Sequence, residues 1–288
     1  MTPASTPPAN HTASMVVSLV IFEPGREWLL RTAVSLCAAL NHALDAGALN
    51  SVTLVVADNG ARSAQSDWEQ ALSAELAALC PRAGFSVRAG HGNIGYGGGN
   101  NLAIRACAPG AEWALVLNPD VEVEADSLTN AIRFMQRERA CVMVTPVAFA
   151  PDGSPQYLVK NYPRVFVLAV RGFAPAWLKR ALQRRLDEYD RADRPHDSPL
   201  TDARIVSGCF MLMRREAFER VQGFDERFFL YFEDFDLSLR MSELGAIVRL
   251  PECRIVHAGG QASRKGLGHI RMFARSAARF FGKHGWRW

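Results

Sequence analysis

MVVSLVIF (residues 15–22) and SVTLVVADNG (51–60) are β-branched apolar runs, and REWLLRTAVSLCAALNHAL (26–44) between them carries apolar residues at helical spacing. Such runs suit strands covered on both faces, the setting of a parallel sheet. Strand, helix and strand in this order form one α/β unit. The second run ends at Asp58-Asn59-Gly60. Ligands of open α/β sheets bind beyond the carboxyl ends of the strands. Asp58 and Asn59 therefore sit where a base or ribose would be held, although Asp-Asn-Gly is also a plain turn.

The pattern continues outward from that unit. FSVRAG (85–90) reads as a third strand and runs into HGNIGYGGGNNLAIRACA (91–108), with five glycines within residues 92–99 and a helix after them. Glycine permits close backbone approach to a ligand, and a flexible loop is the plain alternative. The segment is neither a P-loop nor a dinucleotide fingerprint, because GK[ST] is missing and the glycine spacing differs. EWALVLNPDVEVE (112–124) reads as a fourth strand through a buried run ending at Asn118-Pro119-Asp120. An acid just past a strand end can offer oxygen to Mg²⁺ or Mn²⁺ shared with phosphates; Asn-Pro-Asp is also a common turn.

GFDERFFLYFEDFDLSLRMSELG (223–245) sets Glu233, Asp234 and Asp236 among aromatic residues at the start of an amphipathic helix. Leu237, Met241 and Leu244 keep helical spacing, and Gly245 stands at the expected stop. Acids in so apolar a stretch are costly without a task or a partner. Their simpler use is to cap free N–H groups and oppose the helix dipole.

Taken in order, VVADNG (55–60), GNIGYGGGNN (92–101), LVLNPDVEVEADSL (115–128), SGCFMLMRREAFERVQGFDERFFLYFEDFDLSLR (207–240) and VHAGGQAS (256–263) resemble the inverting family 2 glycosyltransferases of GT-A fold, and within them the bacterial rhamnosyltransferase-type members. The resemblance spans roughly residues 15–265. It implies an α/β fold, GT-A (Rossmann-like), with a mixed sheet flanked by helices and a C-terminal helical extension. It implies a nucleotide-sugar donor held by Phe22, Asp58, Asn59, Asn93, Gly95, Asn100 and Asn118. It implies a divalent cation, Mg²⁺ or Mn²⁺, on Asp120, the surviving acid of the usual metal motif, with His257 as second ligand. Asp234 matches the base of the family's acid pair, with Glu233 beside it, and Asp236 and Tyr231 fall on the acceptor side. The departures are Ile21-Phe22-Glu23-Pro24, where relatives have a Thr-Tyr/Phe-Asn turn, and Ala61, where Ser or Thr is frequent. The expected donor is dTDP-L-rhamnose, with a UDP-sugar as competitor, and the expected acceptor is a saccharide or lipid-linked saccharide of a surface glycan. A nucleotidyltransferase shares the nucleotide-binding sheet, but Glu23-Pro24-Gly25-Arg26 is a poor triphosphate loop. A non-catalytic nucleotide-sugar-binding module would not be expected to keep Asp120, Glu233 and Asp234.

A chain of 288 residues, 49% hydrophobic, can bury one large domain with additions. Its net charge of +4 does not make nucleic acid the default partner. The six cysteines lack CxxC spacing and read as reduced core residues of a cytoplasmic chain. No apolar run reaches a membrane span. Residues 1–14 read as a disordered tail, 15–125 as the nucleotide-sugar half, 126–265 as the acceptor half with a variable insertion at 160–200, and 266–288 as a basic amphipathic helix. In that insertion, Phe166, Phe173 and Trp177 beside Arg171, Lys179, Arg180, Arg184 and Arg185 suit either a membrane surface or a helix packed on its own domain. The last helix, with Met272, Phe273, Ala277, Phe280 and Phe281 on one stripe, leaves the same choice. Lipid-linked acceptors in the family favour peripheral membrane contact.

Overall fold

The computed structural model describes residues 13–23, 26–60, 67–107, 110–259 and 267–288. Nearly all of the tail expected at 1–14, and residues 260–263 of the VHAGGQAS match, lie outside these. Strand β1 (Ser14–Ile21), helix α1 (Arg26–Asp45) and strand β2 (Ser51–Asp58) form the expected unit. Helix α2 (Asp67–Leu79), strand β3 (Ala83–Arg88), helix α3 (Gly95–Arg105) and strand β4 (Trp113–Leu117) follow. β1 pairs in parallel with both β2 and β4, and β2 with β3. Apolar residues cover both faces of β1. Met15, Val17, Leu19 and Ile21 join Leu29, Leu36 and Leu40 of α1 in one cluster. Val16 and Val20 join Ala103 and Ile104 of α3 in the other. Double-sided cover is why the run carries no polar alternation.

The remaining strands are β5 (Val121–Val123), β6 (Cys141–Phe149), β7 (Pro155–Gln156), β8 (Val159–Lys160), β9 (Leu200–Ala203), β10 (Ile205–Val206), β11 (Phe210–Arg214) and β12 (Ala246–His257). The remaining helices are α4 (Ser127–Arg137), α5 (Val165–Phe173), α6 (Ala176–Ala181), α7 (Gln183–Asp190), α8 (Arg215–Arg220), α9 (Glu233–Ser242) and α10 (Leu267–His284). The sheet order is β3-β2-β1-β4-β11-β6-β12-β5, with β7 beside β6 and β9 beside β12; β8 and β10 make a separate ribbon. β11 runs antiparallel to β4 and β6, so the sheet is mixed.

Three local readings change. Residues 112–124 are two strands, not one: the chain breaks at Asn118-Pro119-Asp120, and β5 leaves β4 to pair antiparallel with β12, Val121 opposite His257. Pro119 has no N–H for a ladder and forces the break. The glycine-rich segment is mostly the first turns of α3, not a loop. Gly99 admits Val20 of β1, whose methyl would lie 2.9 Å from any Cβ there, and Gly95 takes φ +79° against the Phe229 carbonyl. Gly245 is no helix stop, since α9 ends at Ser242. It is small because β12 starts hard against Ala140.

α10 packs on its own domain. Phe280 and Phe281 are buried with Phe228, Phe232, Leu239 and Ile205, and Phe273 and Ala277 pack against that cluster. Lys283 Nζ and His284 Nε2 reach Asp236 Oδ1 at 2.6 and 2.8 Å, and Lys283 also reaches Asp225 at 2.9 Å. The apolar stripe expected to meet a membrane is therefore already covered by protein. All six cysteines are free, and among the described residues no helix is long and apolar enough to cross a membrane.

Phe280 is the measure of that docking. Phe280→Ala should cost about 3–5 kcal/mol in urea unfolding, whereas Phe22→Ala, at an exposed position, should stay within about 0.5 kcal/mol. A loosely held terminal helix would give a small loss for both.

Candidate active site

β1 is flanked by β2 and β4, while the chain first steps outward to β3 and then returns to β4. This reversal of direction opens a crevice at the carboxyl ends of β1 and β4, where open α/β sheets take ligands. Phe22 follows β1 and is 55% exposed. Asp58 and Asn59 end β2, and Asn118 to Asp120 follow β4. Because β11 is antiparallel to β4, its entry residues arrive at the same edge, and Asn118 N–H donates to the Cys209 carbonyl at 2.9 Å.

The break after β4 brings Asp120 beside His257. The Ala258 N–H donates to the Asp120 carbonyl at 3.0 Å, and His257 Nε2 stands 3.6 Å from Asp120 Oδ1. Gln156 fixes the ring. Its side-chain amide donates to the His257 carbonyl at 2.8 Å, so its Oε1 is what faces His257 Nδ1 at 2.9 Å. Nδ1 must then carry the proton, which leaves an Nε2 lone pair turned toward a carboxylate. Burial lowers the His257 pKa, against the pull of Asp120, and keeps the ring neutral. Asp120 Oδ1 is buried without a hydrogen-bond partner. Two electron-rich atoms facing each other are a poor contact without a cation between them, so this pair fits one. Among the described residues no cluster of three or more His, Cys, Asp or Glu forms a complete cage. Further oxygens would have to come from water or a bound phosphate.

The acid pair lies across the β11 entry from Asp120. Asp234 Oδ2 accepts from the Gly208 N–H at 2.9 Å and Oδ1 from the Phe235 N–H at 2.9 Å. Tyr96 holds the same segment through its hydroxyl, which donates to the Gly208 carbonyl at 2.7 Å. The N–H of Asn118, two residues before Asp120, bonds the Cys209 carbonyl, and Asp234 accepts from the adjacent Gly208 N–H, so the two acids flank the β11 entry. The two carboxylates thus converge on one edge of the sheet. Burial pushes Asp234 up to about 6, partly offset by the two N–H donors. Glu233 is also buried, its Oε2 has no partner, and burial and then Asp234 raise its pKa well above the usual range. The backbone entering this pair is left-handed at two successive non-glycine residues, Tyr231 (φ 70°) and Phe232 (φ 66°). Each such residue costs of order 1–3 kcal/mol and persists only where surroundings enforce it. Here the Phe232 ring is clamped by Phe235, Phe273 and Phe280.

The other expected residues divide. Asp58 Oδ1 accepts from the Gly60 N–H at 2.8 Å, while its Oδ2 is buried and unpartnered at the crevice. Asn59 is spent on its neighbours: its amide donates to the Gly95 carbonyl, and its oxygen meets His91 Nε2 at 3.0 Å. Asn100 is enclosed, accepting from the Ser18 hydroxyl and donating to the Tyr96 carbonyl. It steadies α3 on β1 rather than facing the crevice. Asn93 is exposed and caps the Gly95 N–H. Tyr231 is half-buried, its hydroxyl 3.0 Å from His269 Nδ1. Asp236 is fully buried between Arg240, Lys283 and His284 and has no surface to offer an acceptor. Sequence reading passed over Gln156, His91 and Gly208. Their roles depend on contacts with residues 101, 32 and 26 positions away, and no local motif marks them.

Comparison with known proteins gives the family. The chain is 31% identical over 181 residues to the N-acetylglucosaminyl-diphospho-decaprenol L-rhamnosyltransferase of Mycobacterium tuberculosis, covering 57% of this chain and 56% of that one. It is 29% identical over 176 residues to rhamnosyltransferase WbbL of Escherichia coli, covering 58% and 61%. The chain thus spans little more than half the length of these curated relatives. Its fold is similar to that of the mannosyltransferase PcManGT of Pyrobaculum calidifontis, solved with GDP-Man and Mn²⁺, at a TM-score of 0.57 and 15% identity over 92% of this chain and 64% of that one. Residues 26–222 match the profile of Glycosyl transferase family 2, and the chain belongs to that family.

Proposed function

We propose that the protein is a metal-dependent inverting glycosyltransferase that moves L-rhamnose from dTDP-L-rhamnose to a hydroxyl of a saccharide acceptor in surface-glycan synthesis. The observation that carries the reading is the convergence of Asp120, with its His257 partner, and Asp234 on the two sides of the β11 entry. The rhamnosyl donor rests on the two rhamnosyltransferase relatives, and a saccharide on a lipid diphosphate is suggested by the N-acetylglucosaminyl-diphospho-decaprenol on which one of them acts. The acceptor would meet the enzyme at the cytoplasmic face of the membrane.

In this reading the donor base lies against the exposed Phe22, and the free Asp58 oxygen takes a base or ribose donor group. Asp120 and His257 would hold a divalent cation, which would supply positive charge against the departing nucleoside diphosphate. Asp234 accepts the proton of the acceptor hydroxyl as its oxygen bonds to the anomeric carbon from the face opposite the leaving group. The bond to the diphosphate breaks in the same displacement, so no protein nucleophile is required. The Gly208 and Phe235 N–H groups hold the Asp234 carboxylate in place. Burial keeps the Asp234 pKa at about 6, high enough for it to take a proton, and Glu233 is buried beside it.

Asp234 sets the first test. Asp234→Asn should abolish transfer and leave nucleotide-sugar affinity unchanged within about twofold. Because burial raises this carboxyl, the wild-type kcat/KM should rise as pH passes about 6 and level off above it. A pH-independent rate, or near-normal turnover by the amide, would reject the base.

Donor and metal can be tested together. Melting temperature measured with dTDP-rhamnose, UDP- and GDP-sugars should rise most for dTDP-rhamnose, and more with Mn²⁺ than without. Gln156→Ala should weaken Mn²⁺ binding by about 10–100-fold in a direct titration, since the His257 ring loses its orientation. A flat response across donors would remove the donor assignment.

Glu233 separates stability from activity. Its raised pKa means that folding favours the protonated acid, so its cost to the fold grows as pH rises above the unfolded value. Glu233→Gln should therefore raise the melting temperature at pH 8, with the gain fading toward pH 5, while turnover falls.

A further inference from the structure

The insertion between β8 and β9, together with Trp288, borders a half-open cavity of about 540 Å³ whose lining includes none of the crevice residues described above. Tyr162, Arg164, Phe166, Arg185, Tyr189 and Trp288 line it. Among the described residues, neither Arg164 nor Arg185 has a side-chain hydrogen bond or an ion pair; Arg185 lies only over the Phe166 ring, at 5.6 Å. Arg287 stacks on the Tyr162 ring at 4.1 Å. Against the two guanidinium groups of its lining, Arg164 and Arg185, the wall carries one side-chain carboxylate, Glu188. Guanidinium groups without carboxylate partners are suited to phosphate oxygens, which they can bind bidentately.

The two ends of the cavity differ in chemistry. Tyr189 is buried, and its carbonyl accepts from the Asn161 N–H at 2.9 Å just past β8; β8 pairs with β10, and the chain leaving β10 runs to Gly208, whose N–H donates to Asp234, so this wall adjoins the expected base. In the other direction runs an exposed apolar trail. Phe166 is half-exposed, and Phe173, two turns on and on the same face of α5, is 68% exposed; Trp177 on α6 is 69% exposed. Exposed aromatics in succession beside an unpaired basic cluster match an amphiphile with an anionic head.

We propose that this cavity binds the diphosphate of a lipid-linked acceptor, with Arg164 and Arg185 on its phosphates and the lipid leaving along Phe166, Phe173 and Trp177. The site rests on the glycosyltransferase reading above and adds to it the residues that select the acceptor. The saccharide end then points past Tyr189 toward Asp234. A soluble sugar without the lipid diphosphate would forgo both the ion pairs and the apolar trail.

The test is a binding titration of the full chain in EDTA, which suppresses cation-dependent diphosphate binding at Asp120. Farnesyl diphosphate, farnesol and phosphatidylglycerol vesicles serve as probes for the wild type, R164Q/R185Q and D120N. Farnesyl diphosphate should bind at least tenfold tighter than farnesol. R164Q/R185Q should fall to the farnesol level, and D120N should match the wild type. Equal affinity in the arginine variant, or a loss in D120N, would overturn the site. Vesicle binding as strong as that of farnesyl diphosphate and equally dependent on the two arginines would also overturn it, in favour of a general anionic surface. Both arginines are exposed, so their replacement should leave the melting temperature unchanged. Nucleotide-sugar binding by R164Q/R185Q reports on the underlying reading separately: if it persists while farnesyl diphosphate affinity does not depend on the arginines, only the lipid site fails.

Discussion

The break at Asn118-Pro119 governs the site. Proline ends the β4 ladder, and the three residues of β5 are captured by β12 on the far side of β11 and β6. Only this jump sets Asp120 beside His257, which is 137 positions later (257 − 120). A straight strand over 112–124 would carry Asp120 away along β4 and leave the histidine with no carboxylate opposite. The same jump places Asp120 at the entry of β11, whose Gly208 N–H is held by Asp234. One imino acid thus draws together residues from the middle and the end of the chain.

The acid pair is maintained against its own cost. Two successive left-handed residues and two desolvated carboxylates are each unfavourable, and no polar contact closes the account for Glu233. The opposing contribution is apolar, from Phe232 locked among Phe235, Phe273, Phe280 and Phe281. Burial of each such ring contributes about 1.5–3 kcal/mol. The last helix is therefore part of the support of the acid pair, although it supplies no residue to the crevice. Function here draws on stability generated elsewhere, the usual arrangement where strain is concentrated at a site.

Much of this was legible from sequence because it is written in local pattern. β1, β2, β4 and β6 are apolar runs buried on both faces, and such runs have few other readings. The crevice position of Asp58, Asp120 and Asp234 followed from strand ends and from family resemblance. What local pattern could not carry was pairing. Val121–Val123 reads as a continuation of β4, since partner choice is set by distant β12. The glycines of 95–99 read as a loop, since their use is to admit Val20 and Phe224 into contact with α3. Asn100 read as a site residue from the family resemblance and Asp236 from its place in an acid cluster among apolar residues; both are instead buried and satisfied by protein partners. The stripe on α10 reads equally well as membrane-facing or core-facing, and only the position of Phe232 and Asp236 decides between them.

The clamp of Lys283 and His284 on Asp236 has a consequence for synthesis. Arg240 meets one oxygen of this fully buried carboxylate from within α9, but the Lys283 and His284 groups that close over the other come late, His284 being 48 positions further on. While the ribosome is still short of residue 280, the described strands are all made, but Asp236 has only Arg240 against it and Phe232 lacks the Phe280 and Phe281 rings. The sheet can thus pair its strands before the left-handed turn at Tyr231 and Phe232, which leads into Asp234, is fixed by the rings of α10.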